Sequence, residues 1–444
     1  MLHTLSLLSS LLIAVSFLLL GAGLFNTFIG LRASVEGFPR ELIGLMMSGY
    51  YAGFVAGALA CGRLINRVGH IRAFAAFCAV STVAVLLFAF NREPWFWLFL
   101  RAVIGFNMAG AFIAIESWLN TAATPRNRAT LMAVYMVVSY LALGGGQLLL
   151  NTGEVHGDSL FMLSALLLCF ALVPVAVTRR RHPAPVESPT FGPLRLIKVS
   201  PLAVAGCFCA GLSAGAIYGM GPVYGRELGM SVPEIARFMA VFVVSGLILQ
   251  YPVGRISDRV DRRKVLLWVV GAAMIASLAM IALMQYYTVV EDLPEAIADV
   301  ELWAQHPQEV LALAALYGGL AFTIYPLSVA YANDLIEASE MVQASGGMLL
   351  TFGAGAAVGP LLAAAVMRPI GPDGLFVFTA LTAAGLGALT LYGLWVRPHP
   401  PTEFKHSFVA APEITATPMD PRADEAMHNT PAEPSQASPR SEAE

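Results

Sequence analysis

The chain has 444 residues, of which 57% are hydrophobic and only 12% charged, with a mean hydropathy of +0.70. That charged share is about half that of an average soluble domain, which excludes a water-soluble core as the organising principle. The net charge of −3 and the scatter of basic residues over short segments leave no footprint for nucleic acid.

Twelve stretches carry the roughly 20 apolar residues that cross about 30 Å of hydrocarbon: 5–27, 42–61, 72–90, 95–118, 130–150, 159–178, 201–224, 235–254, 265–286, 310–331, 343–366 and 375–396. The first lacks a basic leader and is too long for the apolar region of a secretory signal, so it reads as a retained helix, with Asn26 near its end. Span 2 has glycine at every fourth position, Gly49, Gly53 and Gly57, a stripe on which another helix can lie close. It ends in a basic loop, Gly62-Arg63-Leu64-Ile65-Asn66-Arg67-Val68-Gly69-His70.

Span 4 holds Arg101 about six residues in, roughly 9 Å below the surface at 1.5 Å per residue, where a charge costs about 2.5–3.5 kcal/mol unless it finds water or a partner. The bland alternative is an arginine that snorkels to the headgroups beside Trp95 and Trp97. Asn107 follows, and Glu116 lies about 60° around the helix from Arg101, near the far end, within reach of Arg67 and Arg128. Glu116 is expected to act as a gate latch rather than a proton carrier. Span 5 adds Tyr140, Gly144-Gly145-Gly146 and Gln147.

After span 6 a segment rich in proline and basic residues, 183–198, reads as a linker between halves. Span 7 contributes Tyr218 and a kink at Gly221-Pro222, and span 8 contributes Gln250. The loop Gly254-Arg255-Ile256-Ser257-Asp258-Arg259-Val260-Asp261-Arg262 then echoes the one beginning at Gly62. Two copies at this distance predict two related six-helix halves, with repeats about an axis along the membrane normal. The acidic stretch 287–309 reads as a solvated outer loop. Span 10 carries Tyr325-Pro326, span 11 has Gly355 and Gly359-Pro360, and 399–444 is too poor in large apolar residues to order itself.

Basic residues set the orientation. With a cytoplasmic N-terminus, fifteen fall in inner loops (Arg63, Arg67, Arg72, Arg126, Arg128, Arg179, Arg180, Arg181, Arg195, Lys198, Arg255, Arg259, Arg262, Arg263 and Lys264). Six fall outside (Arg32, Arg40, Arg92, Arg226, Arg237 and Arg368). The positive-inside bias therefore places both termini in the cytoplasm.

Several chemistries are excluded. Lys198, Lys264 and Lys405 follow Ile197, Arg263 and Phe404, so no Walker A loop exists. Gly211-Leu212-Ser213-Ala214-Gly215 imitates a nucleophile elbow but lies inside span 7. The histidines sit in loops, tails or span edges, away from intramembrane haem or metal sites. Cys61, Cys78, Cys169, Cys207 and Cys209 all lie in apolar spans and read as packed thiols. No cofactor is expected, and the chain does not read as an enzyme.

The repeated loop resembles the signature of the major facilitator superfamily, Gly-x-x-x-Asp-Arg-x-Gly-Arg-Lys/Arg, and the resemblance covers about residues 5–398. The second copy keeps Asp258 and Arg259 but has Asp261 where glycine is usual; the first has Asn66 for aspartate. Arg101-x3-Gly105-x3-Ala109 resembles a helix-4 motif of proton-coupled members without its glutamine, and Glu116 with Pro125 and Arg128 resembles a helix 4–5 latch. Span 5 lacks the Gly-Pro step of drug/proton antiporters. Glu116-Ser117, Arg126-Asn127-Arg128 and Phe322-Thr323-Ile324-Tyr325-Pro326 resemble the YcaD-type bacterial branch, which brings no substrate.

The resemblance implies an all-α membrane protein of twelve helices in two pseudo-symmetric six-helix bundles, 1–182 and 199–398, joined by 183–198 and followed by a disordered cytoplasmic tail, 399–444. It implies a monomeric secondary transporter of a small solute in the bacterial inner membrane, contacting lipid, with protons as a candidate coupling ion. Helices 1, 4, 7 and 10 would line its cavity. The binding candidates are Asn26, Arg101, Asn107, Tyr140, Gln147, Tyr218, Gln250 and Tyr325. The cytoplasmic latch candidates are Gly62, Asn66, Arg67, Gly69, Glu116 and Arg128 in one half, and Gly254, Asp258 and Arg259 in the other. Efflux and uptake remain alternatives. The rival of another class is a solute sensor that signals through its tail, ahead of a membrane enzyme, which would need a catalytic polar pair at one depth.

Overall fold

The computed structural model describes residues 2–122, 128–177, 193–291, 307–336 and 340–396. Twelve helices in it are long and apolar enough to cross a bilayer: Ser9–Val35 (α1), Arg40–Val68 (α2), His70–Phe90 (α3), Pro94–Asn120 (α4), Thr130–Thr152 (α5), Ser159–Ala176 (α6), Pro201–Glu227 (α7), Val232–Arg259 (α8), Arg262–Tyr287 (α9), Gln308–Asn333 (α10), Ala344–Ile370 (α11) and Gly374–Val396 (α12). They correspond one to one with the apolar stretches. The tail 399–444, most of the 183–198 linker and the 292–306 part of the acidic loop lie outside the described residues, as do Pro125, Arg126, Asn127 and the side chain of Arg128.

Several helices run past their apolar stretch. In α2 the apolar stretch ends at residue 61, yet the helix continues to Val68 with Gly62 and Ile65 buried and Arg63, Asn66 and Arg67 exposed. These last two turns are amphipathic, so hydropathy no longer marks the helix but one buried face still does. The end of the linker is also helical, Pro193–Val199, with proline at the start and Leu196 buried.

Helix packing repeats between the halves. α1 packs on α5, α2 on α4, α3 on α6 and α1 on α6; the same pairings recur six helices later as α7 on α11, α8 on α10, α9 on α12 and α7 on α12. The contacts between halves follow the same rule, because α2 on α11 and α8 on α5 are equivalent under the exchange and α1 meets α7. A pseudo-two-fold axis therefore runs between the bundles.

Glycine enables the closest approaches. Gly53 on α2 faces the Ala102 carbonyl of α4, Gly105 on α4 faces the Tyr50 carbonyl of α2, and Gly211 and Gly215 on α7 face Phe352 and Ala356 of α11. The last pair gives the Gly-x-Ser-x-Gly imitation a packing role. Without lipid-excluding force between apolar helices, such backbone contact is what holds them together.

The two signature loops turn differently. Gly69 has φ of +90°, a conformation that L side chains rarely adopt. The second copy turns instead through extended Val260, and the backbone N–H of Arg263 donates to Asp261 Oδ1 at 2.9 Å. Asp261 thus caps α9 in the place where the first copy uses glycine.

Candidate functional site

A cavity of about 50 Å³ lies midway through the bundle between the two halves. Its walls are Asn26 from α1, Tyr50, Tyr51 and Phe54 from α2, Leu143 from α5, Tyr218 from α7, and Phe352 and Gly353 from α11. Of the helices expected to line it, α1 and α7 do. Helices α2, α5 and α11 supply the rest, because Val55 meets Gly353 and lets α2 and α11 close a side wall.

Arg101 stands directly behind this wall. It is 2% exposed, enclosed by the bundle rather than lying on its surface. Its Nη1 donates to Asn26 Oδ1 at 2.9 Å and its Nη2 points at Met47 Sδ at 3.5 Å. The guanidinium lies 4.6 Å from the Tyr50 ring centroid and 5.7 Å from that of Phe25, a double cation–π contact. Nε has no partner. Helix 4 therefore contributes the charge while Asn26 and Tyr50 present it to the cavity.

Of the other binding candidates only Tyr218 is among the residues lining the cavity; Asn107, Tyr140, Gln147, Gln250 and Tyr325 are not. Gln250 Nε2 donates to the Tyr140 hydroxyl at 2.7 Å and to the Phe322 carbonyl at 3.2 Å, tying α8 to α5 across the halves. Phe322 meets the rings of both Tyr140 and Tyr218 edge-on. Tyr325 is buried against Phe352 at 5.1 Å. Gln147 accepts from the Thr27 hydroxyl, leaving its Nε2 without a partner, as is Gln250 Oε1. Asn107 is spent on its own helix, donating to the Val103 carbonyl at 2.7 Å.

At the end carrying the signature loops, Glu116 is fully buried and accepts from Tyr135 at 3.2 Å. Asn66, Arg67 and Arg259 are exposed, and Gly62 and Gly254 are buried. Asp258 pairs with Arg262 at 3.4 Å, and Arg262, 1% exposed, also reaches Asp334 at the end of α10 at 2.7 Å. Asp258, expected to form a latch with Arg259, contacts Arg262 instead, and Arg262 ties it to Asp334 inside the same half.

The opposite end binds the halves together. Arg40 pairs with Glu227 at 2.5 Å and donates to the Met367 carbonyl at 2.7 Å, Arg368 pairs with Glu41 at 3.2 Å, and Arg226 donates to Ser34 Oγ at 2.6 Å. Gly30 and Gly219 also meet here, next to Met47 and Pro360. None of these pairs is signalled in the sequence, since Arg40 and Glu227 lie 187 positions apart.

Twelve helices of membrane-spanning length in two duplicated bundles, with a partly polar cavity between them, have the architecture of a membrane transporter. The chain belongs to the Major Facilitator Superfamily, whose profile it matches over residues 11–291 and 296–428. An uncharacterized MFS-type transporter of Yersinia pestis (strain Pestoides F) is 29% identical over 80% of this chain and 87% of its own. The uncharacterized MFS-type transporter YcaD of Salmonella newport (strain SL254) is 27% identical over 83% and 91%. Among solved structures, the nucleoside transporter NupG superposes with a TM-score of 0.70 at 13% identity, covering 88% of this chain and all of that one. A bacterial homologue of the lysosomal transporter Spinster, in an inward-facing and occupied conformation, gives 0.66 at 14% identity, covering 90% and 98%. These likenesses extend the resemblance seen in the signature loops and the Glu116-Ser117 segment, and they concern fold alone for the two solved structures.

Proposed function

We propose that this transporter moves a small solute across the bacterial inner membrane by alternating access, through the cavity walled by Asn26, Tyr50, Tyr51, Tyr218 and Phe352. The observation that carries this reading is a buried Arg101 joined to Asn26 at the edge of a space shared by both halves. A desolvated guanidinium with an unpartnered Nε is costly to keep, and a transport site is the reason that suits its place. With both termini cytoplasmic, the Arg40–Glu227 end is the outer one and the molecule is closed to the outside. The absence of a Walker A loop supports a gradient as the energy source, with protons the candidate ion.

Orientation is tested by thiol labelling in a background lacking the five native cysteines. Cysteines at Val68 and Val260 are expected to resist an impermeant maleimide in intact spheroplasts, and one at Asn91, exposed between α3 and α4, to react. Labelling of Val68→Cys and Val260→Cys from opposite sides would overturn the arrangement.

A further inference from the structure

We infer that the cavity selects a planar aromatic solute, neutral or anionic, that offers a hydrogen-bond acceptor to the Asn26 amide, and that it rejects organic cations. This rests on the reading of the cavity as the transport site and adds the chemistry of its occupant.

Aromatic rings make most of the wall. Tyr50 and Tyr51 stand at 84° to each other with centroids 5.1 Å apart, and Phe54, Tyr218 and Phe352 complete the enclosure. Rings at such angles present both faces and edges, which suits a flat π-system over an aliphatic one.

The polar selectivity comes from Asn26. Arginine has donors and no acceptor, so the Arg101 Nη1 contact at 2.9 Å assigns the facing atom as Oδ1. The amide nitrogen is thereby turned away from Arg101, and Asn26 is the wall's amide group. Its N–H groups call for an acceptor on the solute: a carboxylate, a carbonyl or a ring nitrogen.

An aromatic enclosure by itself also suits quaternary ammonium. Here the guanidinium already occupies a face of Tyr50, and among the described residues no carboxylate pairs with it. None of the lining residues is acidic. A buried positive charge thus lies directly behind the wall, where it attracts an anion and repels a cation.

At about 50 Å³ the space is smaller than the roughly 150 Å³ void that takes benzene. Binding therefore requires a ring to swing, and Tyr51 and Tyr218, both half-buried, are placed to do so.

The test is calorimetric titration of the purified full chain with three probes of similar size: indole-3-carboxylate, bicyclo[2.2.2]octane-1-carboxylate and benzyltrimethylammonium. Indole-3-carboxylate is expected to bind about tenfold more tightly than the aliphatic acid, and the cation not to bind at about 10 mM. Asn26→Asp removes the amide donors and also neutralises Arg101 with a carboxylate, two changes that both act against an anion, and should weaken indole-3-carboxylate by at least about tenfold. Tyr218→Leu provides a second variant, expected to erase the preference for the aromatic acid. Equal binding of the cation, equal binding of the aliphatic acid, or no binding of indole-3-carboxylate by the unmodified chain would each overturn the inference. Probe binding without alternate exposure of the cavity would instead sink the transport reading, and alternate exposure without probe binding would sink only the solute class.

Discussion

Arg101→Met is expected to abolish transport while leaving a folded protein at least as stable as the original. The guanidinium is held by Asn26, Met47, Tyr50 and Phe25, all uncharged. Replacing such a buried charge, which has no ionic partner, with an apolar side chain of similar length removes its desolvation cost. Function should move the other way. Without the guanidinium, Asn26 loses the donor that fixes its amide and the Tyr50 ring loses its cation. Uptake into proteoliposomes of a solute that stabilises the unmodified chain should fall by about two orders of magnitude, equivalent to ~2.7 kcal/mol.

Arg101→Lys should recover little of that loss. A lysine offers a point charge where Asn26, the sulfur of Met47 and two ring faces meet a planar fork. Near-normal uptake by both variants would show that the buried arginine is an anchor and nothing more.

Gly105→Ala is expected to lower the stability of the whole N-terminal bundle by about 1–3 kcal/mol, the usual cost of overpacking. A Cβ at Gly105 would collide with the Tyr50 carbonyl and lie 3.0 Å from the Phe54 nitrogen. Both are backbone atoms, which cannot rotate aside, so α2 and α4 must separate. The same movement lifts Tyr50 off Arg101, one turn along α4. Loss of solute binding should therefore accompany the fall in thermal stability measured in detergent. Gly271→Ala is the matched control, because nothing lies within 4 Å of its Cβ. Alanine there should be neutral or gain up to about 1 kcal/mol from helix propensity. Equal midpoints for the two variants would contradict the close-packing account.

The parts legible in the sequence are those set by one-dimensional physics. Twelve spans follow from the length of apolar runs, and the two halves follow from the echo between Gly62–His70 and Gly254–Arg262. Arg101 stood out because a lone charge in a span has few bland explanations. The aromatic wall did not stand out, because Tyr50, Tyr51, Phe54 and Phe352 are ordinary members of apolar helices until packing decides which way they face. Asn107 shows what a sequence leaves out in the other direction: its amide nitrogen has a partner one turn back on its own helix, the Val103 carbonyl. Asp334 and Glu227 were missed since their partners, Arg262 and Arg40, come from distant segments. Asp261 looked like a lapse from the signature and is an alternative helix cap.

Alternating access requires that the cavity be reached from one side at a time, with the Arg40–Glu227 end as the proposed outer door. A single cysteine at Tyr51, on the cavity wall, reports access, and a short bifunctional thiol crosslinker between cysteines at Arg40 and Glu227 locks the door. Installed together in a background lacking native cysteines, with the lock closed before Tyr51→Cys is exposed to reagent, they allow one decisive comparison. Tyr51→Cys should react with impermeant maleimide from the cytoplasmic side whether or not the lock is closed, and from the outer side only when it is open. Reaction from the outer side with the lock closed, or access from the outer side alone, would contradict alternating access through this cavity.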